Sequence, residues 1–347
     1  MPHPACRLGS GRLTGRRGAR HLGAASDLAK AQGKCVMTIL VTGATGFVGA
    51  AIVRALAYRR RAVRAAARNP ALVERLPGVE VVALPDLAGS PDWQPLLSNV
   101  TAVVHAAGLA HQPPTISLST LMRVNAEASG TLADAAVAAG VSRFILMSSI
   151  RAVTGASATH LVQPTDEPAP TDDYGRSKLA AEFAVCRAFP GAIVLRPPVV
   201  HGAGAKGNMA RLARLALSPL PLPIGGLTGR RSLVSEFNLA SAVAHLLDLA
   251  DAPCPIIHVQ DGPPLTVPDM IRAMRQAFGR WPMVMTPPAG IDAAAIRMLA
   301  PGLASQLVDD LVISDDGLRA TGWQPIEPSS DGLARMARTA LFGQTRL

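Results

Sequence analysis

A chain of 347 residues with 49% apolar and 17% charged residues suits one large or two unequal globular domains and is too apolar to be disordered throughout. Its net charge of +10 invites a nucleic-acid reading, but residues 1–36 hold seven Lys and Arg against Asp27 alone, so six of the ten charges sit there. Aromatics at 3% leave no base-stacking surface, and no nucleic-acid partner is expected.

Residues 1–36 show no sustained amphipathic period. That favours a disordered extension upstream of Met37 over an Arg-rich, acid-poor leader of the mitochondrial kind. Cys6, Cys35, Cys186 and Cys254 form no CxxC pair and have no histidine at zinc-finger spacing. Near the start there is no secretory apolar run, and later no stretch reaches the ~18 apolar residues of a membrane span. The expectation is a cytoplasmic protein with reduced thiols, no metal and no membrane partner.

The most specific stretch is Thr38–Gly49, where an aliphatic run reads as a buried strand and then breaks into Gly43, Gly46 and Gly49. Helix-period apolar positions follow at Val48, Ile52 and Leu56. Strand, turn and helix suit a dinucleotide: Gly43 allows the turn, Gly46 lets backbone approach a pyrophosphate, and Gly49 lets the helix pack closely. Arg61–Arg68 reads as the second strand, ending beside the adenosine ribose. Arg68 stands where an acid would bind the 2′-hydroxyl, which favours NADP over NAD; the plain alternative is a solvated strand-end charge.

Val79–Leu84 reads as the third strand, followed by Asp86, either an adenine acceptor or a turn former. Thr101–Gly108 is a fourth strand, whose small-residue exit lets the cofactor cross the sheet closely. A helix from Leu121 to Ala139, ending at Gly140, carries Asn125 on or beside its packed face, where it bridges backbone or holds a water in a proton relay. Arg143–Ser149, the fifth strand, delivers two hydroxyls at the edge where ligands bind in such sheets. After a Pro-rich loop, Thr171-Asp172-Asp173 starts a helix on which Tyr174 and Lys178, four apart, share a face.

Ala192–Arg196 is a sixth strand, and beyond it the chain becomes loop-rich around one short helix near Arg211–Leu217. Regularity returns with a helix near Leu239–Leu249, a strand at 255–259 and C-terminal helices. The expected architecture is α/β: a Rossmann-type doubly wound parallel sheet over 37–197, with 198–347 mainly a smaller substrate-binding part that returns some elements to the sheet.

Ser149, Tyr174 and Lys178 together carry the chemistry. A phenol with pKa near 10 is a poor base at neutrality, so an ammonium and a positive nicotinamide ring are expected to lower it, while Ser149 bonds the substrate oxygen. Without the glycine motif, Tyr174 and Lys178 read equally well as a surface pair.

These residues resemble the extended short-chain dehydrogenases/reductases of the NAD-dependent epimerase/dehydratase type, which act on nucleotide sugars. The likeness spans residues 37 to about 340. It is carried by Thr42–Gly49, Asp86-Leu87, His105-Ala106-Ala107, Asn125 with Gly130-Thr131, Ser148-Ser149, Tyr174–Glu182, Leu195-Arg196-Pro197 and Arg230–Val234. Ser149-Ile150-Arg151, Gly204–Asn208 and Leu220–Pro223 look closest to 4-keto reductases of UDP-N-acetyl sugars used in surface polysaccharides.

The resemblance implies a catalytic set of Ser149, Tyr174, Lys178 and Asn125, and a cofactor, NADP or else NAD, lined by Gly43, Thr45, Gly46, Phe47, Val48, Gly49, Arg68, Asp86, Leu87, Ala106, Ala107, Lys178 and Pro197. It further implies Asn208 and Arg231 at the substrate diphosphate, and a homodimer. Arg231 also reads as a solvated charge. The chain departs from the family pattern at His201, where a tyrosine is usual, at an extra Ala152, and at Phe237 in place of an acid. His201 reads as an added proton shuttle or, more plainly, as a structural histidine. A 4-keto reductase is expected, with an NAD-dependent 4-epimerase and a non-catalytic, redox-sensing dinucleotide binder as alternatives.

Overall fold

The computed structural model describes residues 37–110, 116–250, 255–279, 281, 283–288, 291–299 and 305–344. The expected extension 1–36, with Cys6 and Cys35, and Cys254 lie outside them.

Seven strands form one sheet: β1 (Thr38–Thr42), β2 (Ala62–Ala67), β3 (Val79–Ala83), β4 (Val100–His105), β5 (Arg143–Met147), β6 (Ile193–Arg196) and, after short strands outside the sheet, β9 (Ile256–His258). Their order is β9-β6-β5-β4-β1-β2-β3 and every pairing is parallel. The strands are nearly continuous apolar runs because both faces are covered. On β1, Ile39 and Val41 pack with helices α1 (Phe47–Tyr58) and α5 (Glu236–Asp248), while Leu40 joins the cluster under α2 (Ala128–Ala138) and α3 (Asp173–Ala188).

Strand order reverses between β1 and β4, and the carboxyl ends beside that point form the crevice where such sheets take ligands. A separate apolar cluster joins α4 (Gly207–Leu217), α6 (Val267–Gln276) and α7 (Ser329–Gln344).

The structure differs from the sequence reading in two places that matter. The helix expected from Leu121 to Ala139 is interrupted by a π-helical turn, Met122–Glu127, containing Asn125. Within the stretch read as loop, β7 (Val199–His201) pairs with β8 (Leu233–Ser235), a partner over thirty residues away that no local pattern announces. No helix of the described residues is long and apolar enough to cross a membrane, and they contain no cluster of His, Cys, Asp and Glu able to hold a metal ion.

Candidate active site

The glycine turn joins β1 to α1. Gly43 has φ +73°, and a Cβ there would lie 2.8 Å from the amide nitrogen of Ala107. At Gly49 a Cβ would lie 2.1 Å from the Gly43 carbonyl oxygen, so side chains are excluded where helix, turn and the β4 exit meet. Gly46 is the N-cap and no side chain caps it, which leaves amides of the first turn of α1 directed at an anion. Thr45 and Gly46 are exposed, and Phe47 and Val48 half-buried. This cradle fits the pyrophosphate of a dinucleotide.

Beneath the turn runs a chain of hydrogen bonds whose direction can be assigned. The Ala107 amide donates to Thr42 Oγ1 (3.2 Å), which lies 2.7 Å from His105 Nδ1; His105 Nε2 lies 2.9 Å from Ser129 Oγ, and Ser129 Oγ donates to the Asn125 carbonyl (2.5 Å). Because the Ser129 proton goes to Asn125, Nε2–H must donate to Ser129 and Nδ1 must accept from Thr42: a neutral imidazole in one tautomer. Burial, with Lys178 nearby, lowers the His105 pKa to about 3.

A histidine whose folded pKa lies below its unfolded value of 6.5 stabilises nothing in acid. The unfolded chain binds the extra proton, so stability is lost as pH falls from 6.5 toward 3. The loss at the acid end is on the order of 5 kcal/mol by linkage. In His105→Gln, denaturant melts between pH 7 and 4 should show a shallower decline than the wild type, and an equal slope would refute the assignment.

Asn125 is buried in the π turn. Its Oδ1 accepts from the Leu109 amide (2.7 Å), and its Nδ2 donates to the Leu109 carbonyl (3.1 Å) and to Ser177 Oγ (2.9 Å). Both amide donors are therefore spent on tying the β4 exit to α3. This is the backbone bridging that the sequence allowed.

Asp172 caps α3 by accepting from the Gly175 amide (2.7 Å). Ser177 Oγ donates to the Tyr174 carbonyl (2.8 Å), and Lys178 Nζ donates to the Met147 carbonyl at the end of β5 (2.6 Å). Ser149 lies close enough to the Tyr174 phenol to favour its ionised form, so the three expected residues converge on one sheet edge.

Their electrostatics differ from expectation. Burial pushes the Tyr174 phenol up to about 12; Ser149 and Arg151 oppose this and Asp172 adds to it. Burial pushes Lys178 down to about 8, against the pull of Glu182. Desolvation is the largest cause for both groups, and the charges acting on Tyr174 are those of Asp172 and Arg151 rather than the expected ammonium.

At the adenosine end, Arg68 is exposed just beyond β2, and the Ala44 amide bonds the Ala66 carbonyl (3.1 Å), which brings the glycine turn and that strand end together. Asp86 Oδ1 accepts from the Ala88 amide (3.0 Å), the bond of a turn former, and Leu87 is buried beside it. Ala106 and Ala107 follow β4, and the buried Pro197 follows β6 with its carbonyl on the Ile150 amide (3.0 Å).

On the far side, Arg231 is buried rather than solvated. It donates to the carbonyls of Ser305 (3.2 Å), Asp309 (3.0 Å) and Ala156 (2.6 Å), and burial lowers its pKa to about 10. Asn208, exposed on α4, bonds Gln306 of the same segment. Both expected diphosphate residues thus meet residues 305–309, which local sequence reading does not bring to them because the bridge pairing Arg231 with Leu311 spans eighty positions.

His201 is fully buried with Nε2 2.8 Å from Asp261, which also accepts from the Ser235 amide, Asn238 and Ser329, a hydrogen-bonded setting of the kind a structural histidine has. Ala152 is buried in a 3₁₀ turn after Ser149, and the Phe237 ring carries Arg335 at 4.0 Å. The sequence reading missed Glu182 as a site residue. It is buried, accepts from Arg196 and Ser148, and lies four residues beyond Lys178, a spacing that signals a shared helix face.

Comparison with known proteins agrees with this geometry. The model of the "NAD dependent epimerase/dehydratase family" matches residues 39–258. A UDP-glucose 4-epimerase of Vibrio cholerae is 30% identical over 325 residues, covering 90% of this chain and 98% of that protein. A 3-diazoavenalumate denitrifying reductase of a Streptomyces species is 30% identical, covering 86% and 100% respectively. Among solved structures, MoeE5 in complex with UDP-glucuronic acid and NAD superposes with TM-score 0.69 at 22% identity, covering 88% of this chain and 99% of that one. The UDP-glucose 4-epimerase of Thermotoga maritima gives 0.69 at 19%, covering 90% and 100%. The chain is an oxidoreductase that uses a nicotinamide dinucleotide on a small-molecule substrate, and it belongs to the NAD-dependent epimerase/dehydratase family of extended short-chain dehydrogenases/reductases.

Proposed function

We propose that this enzyme reduces the 4-keto group of a nucleotide sugar, a UDP-N-acetyl sugar, with NADPH. The observation that carries the reading is the meeting of Ser149, Tyr174 and Lys178 at the carboxyl edge of the sheet, with Lys178 anchored on the Met147 carbonyl at the end of β5, in a fold that also holds the glycine cradle. A phenol held protonated at neutral pH is an acid waiting for an alkoxide, which suits ketone reduction.

In this reading Ser149 bonds the ketone oxygen and Tyr174 gives it a proton. Lys178 holds the nicotinamide ribose and keeps positive charge beside the phenolate that results. The bound cofactor supplies the hydride. Gly43, Gly46 and Gly49 hold its pyrophosphate, and Arg68 favours a 2′-phosphate. Asn208 and Arg231 form the diphosphate end of the cleft, where phosphate oxygens would replace the carbonyls that Arg231 now bonds. A homodimer is the state that the family resemblance implies, and the scattered cysteines suit a cytoplasmic protein.

The relative in Vibrio cholerae favours a second reading, 4-epimerisation with retained NAD. Purified protein is to be offered NADPH or NADH with UDP-4-keto-6-deoxy-N-acetylglucosamine. Stoichiometric oxidation of NADPH is expected. Interconversion of UDP-N-acetyl sugar epimers without net oxidation would establish the epimerase instead. Arg68→Ser should reduce the preference for NADPH over NADH by about tenfold or more, the worth of one charge-assisted bond. An unchanged ratio would remove Arg68 from the 2′-phosphate site.

A further inference from the structure

The strand end that presents Ser149 is gripped residue by residue. The Met147 carbonyl accepts from Lys178 (2.6 Å), the Ser148 amide donates to the Leu195 carbonyl (2.8 Å), Ser149 Oγ accepts from the Arg151 amide (3.2 Å), and the Ile150 amide donates to the Pro197 carbonyl (3.0 Å). One grip is ionic. Ser148 Oγ donates to Glu182 Oε1, on which Arg196 Nε also converges (3.0 Å), while Arg196 Nη2 donates to Oε2 (2.6 Å). Glu182 and Arg196 are 4% and 1% exposed, so this pair lies in the interior where β5, β6 and α3 meet.

A buried bidentate pair is a poor source of net stability, because removing two ions from water offsets their attraction. Here, however, the carboxylate lies one helical turn beyond Lys178 on the same helix. We propose that Glu182, itself held by Arg196, is a positioning residue for hydride transfer: it fixes the Ser148-Ser149 strand end and sets a carboxylate one helical turn from Lys178. The proposal rests on the reading of Lys178 as the group at the nicotinamide ribose.

The groups facing this corner support a specific role for Glu182. His105, from β4, is neutral; Tyr174 on α3 is protonated; the Cys186 thiol on α3 is pushed up by burial and by Glu182. Arg196, from β6, is a cation bonded to Glu182, and His258, its register partner on β9, is kept neutral by burial and by Arg196, with its pKa at about 4. Glu182 is thus the carboxylate that acts on Lys178, whose burial favours losing its proton.

The test is NADPH binding measured by nicotinamide fluorescence from pH 6 to 10, in wild type, Glu182→Gln and the doubly neutral Glu182→Gln/Arg196→Met. The double variant matters because Glu182→Gln alone strands a buried arginine and destabilises the fold, whereas a neutral pair of similar volume does not. The expected result is that affinity in the double variant falls off at a pH at least one unit lower than in wild type, while its melting temperature stays within a few degrees. A double variant that binds with the wild-type pH profile, or that fails to fold, overturns the proposal and leaves the pair structural. A wild type that binds no NADPH at any pH would instead strike at the cofactor reading itself.

Discussion

Tyr174→Phe is expected to lower turnover by about 10²- to 10⁴-fold, the usual worth of a positioned general acid, with fold and cofactor binding retained. The ring stays where α3 places it, and the neighbouring bonds that hold the helix, Asp172 to the Gly175 amide and Ser177 to Asn125, do not involve the phenol oxygen. The hydroxyl is lost from a half-buried residue with Ser149 beside it, so the stability cost should not exceed about 1 kcal/mol. The assay is single-turnover NADPH oxidation with a 4-keto UDP-sugar, alongside nucleotide binding and a thermal melt. Near-normal turnover in a folded, cofactor-binding variant would remove Tyr174 as the acid, whereas lost binding would point to a structural role.

Lys178→Met should abolish activity and, at pH 7, make the protein more stable. Burial lowers the Lys178 pKa from 10.5 to about 8, so the folded state carries a desolvation penalty that the unfolded chain does not. The sign follows from linkage: below pH 8 the lysine is charged in both states and the penalty is present in full. Between pH 8 and 10.5 the unfolded chain binds more protons, and wild-type stability rises as the penalty disappears. The penalty is on the order of 3 kcal/mol. Losing the bond to the Met147 carbonyl returns about 1 kcal/mol of it, so a net gain of roughly 2 kcal/mol is expected at pH 7. Denaturant melts at pH 7 and pH 10 measure this: the advantage of the Met variant should shrink at the higher pH. A variant less stable than wild type at pH 7 would show that the ammonium is held more favourably than its burial implies.

Both predictions concern residues that the sequence singled out, yet their direction comes from the folded state. The Tyr-x-x-x-Lys spacing puts two side chains on one helix face, and it says nothing about how much water reaches them. Depth decides the protonation states. Tyr174 and Lys178 lie on α3 where it packs toward the end of β5, and desolvation is the largest cause of both shifts. The same blindness hid Glu182. As a charged residue on a helix it read as part of a motif, until β6 brought Arg196 onto its carboxylate.

The strands, the glycine turn and the edge that carries Ser149 were legible because each is a local pattern: a run of apolar residues, a spacing of glycines, a helix period. Gly43, Gly46 and Gly49 can be read without coordinates since the geometry they permit lies within seven residues, and the structure places a positive φ and a backbone contact where the spacing asked for them. Asn125 was legible as a polar residue in a packed helix but not as the clamp of a π turn, because its partners Leu109 and Ser177 come from two other elements. Arg231 was legible as a phosphate-type side chain but not as a buried one, since what covers it arrives from residues 305–311.

By itself, then, the sequence determined the α/β class, the dinucleotide cradle and the three residues at the sheet edge, all of which follow from short-range spacing and from the two periods of helix and strand. Tertiary structure alone decided the tautomer of His105, the protonation of Tyr174 and Lys178, the ionic grip of Glu182 and Arg196, and the covering of Arg231. The physical reason is common to all five: each depends on what is excluded from water, and that is set by contacts between segments distant in the chain.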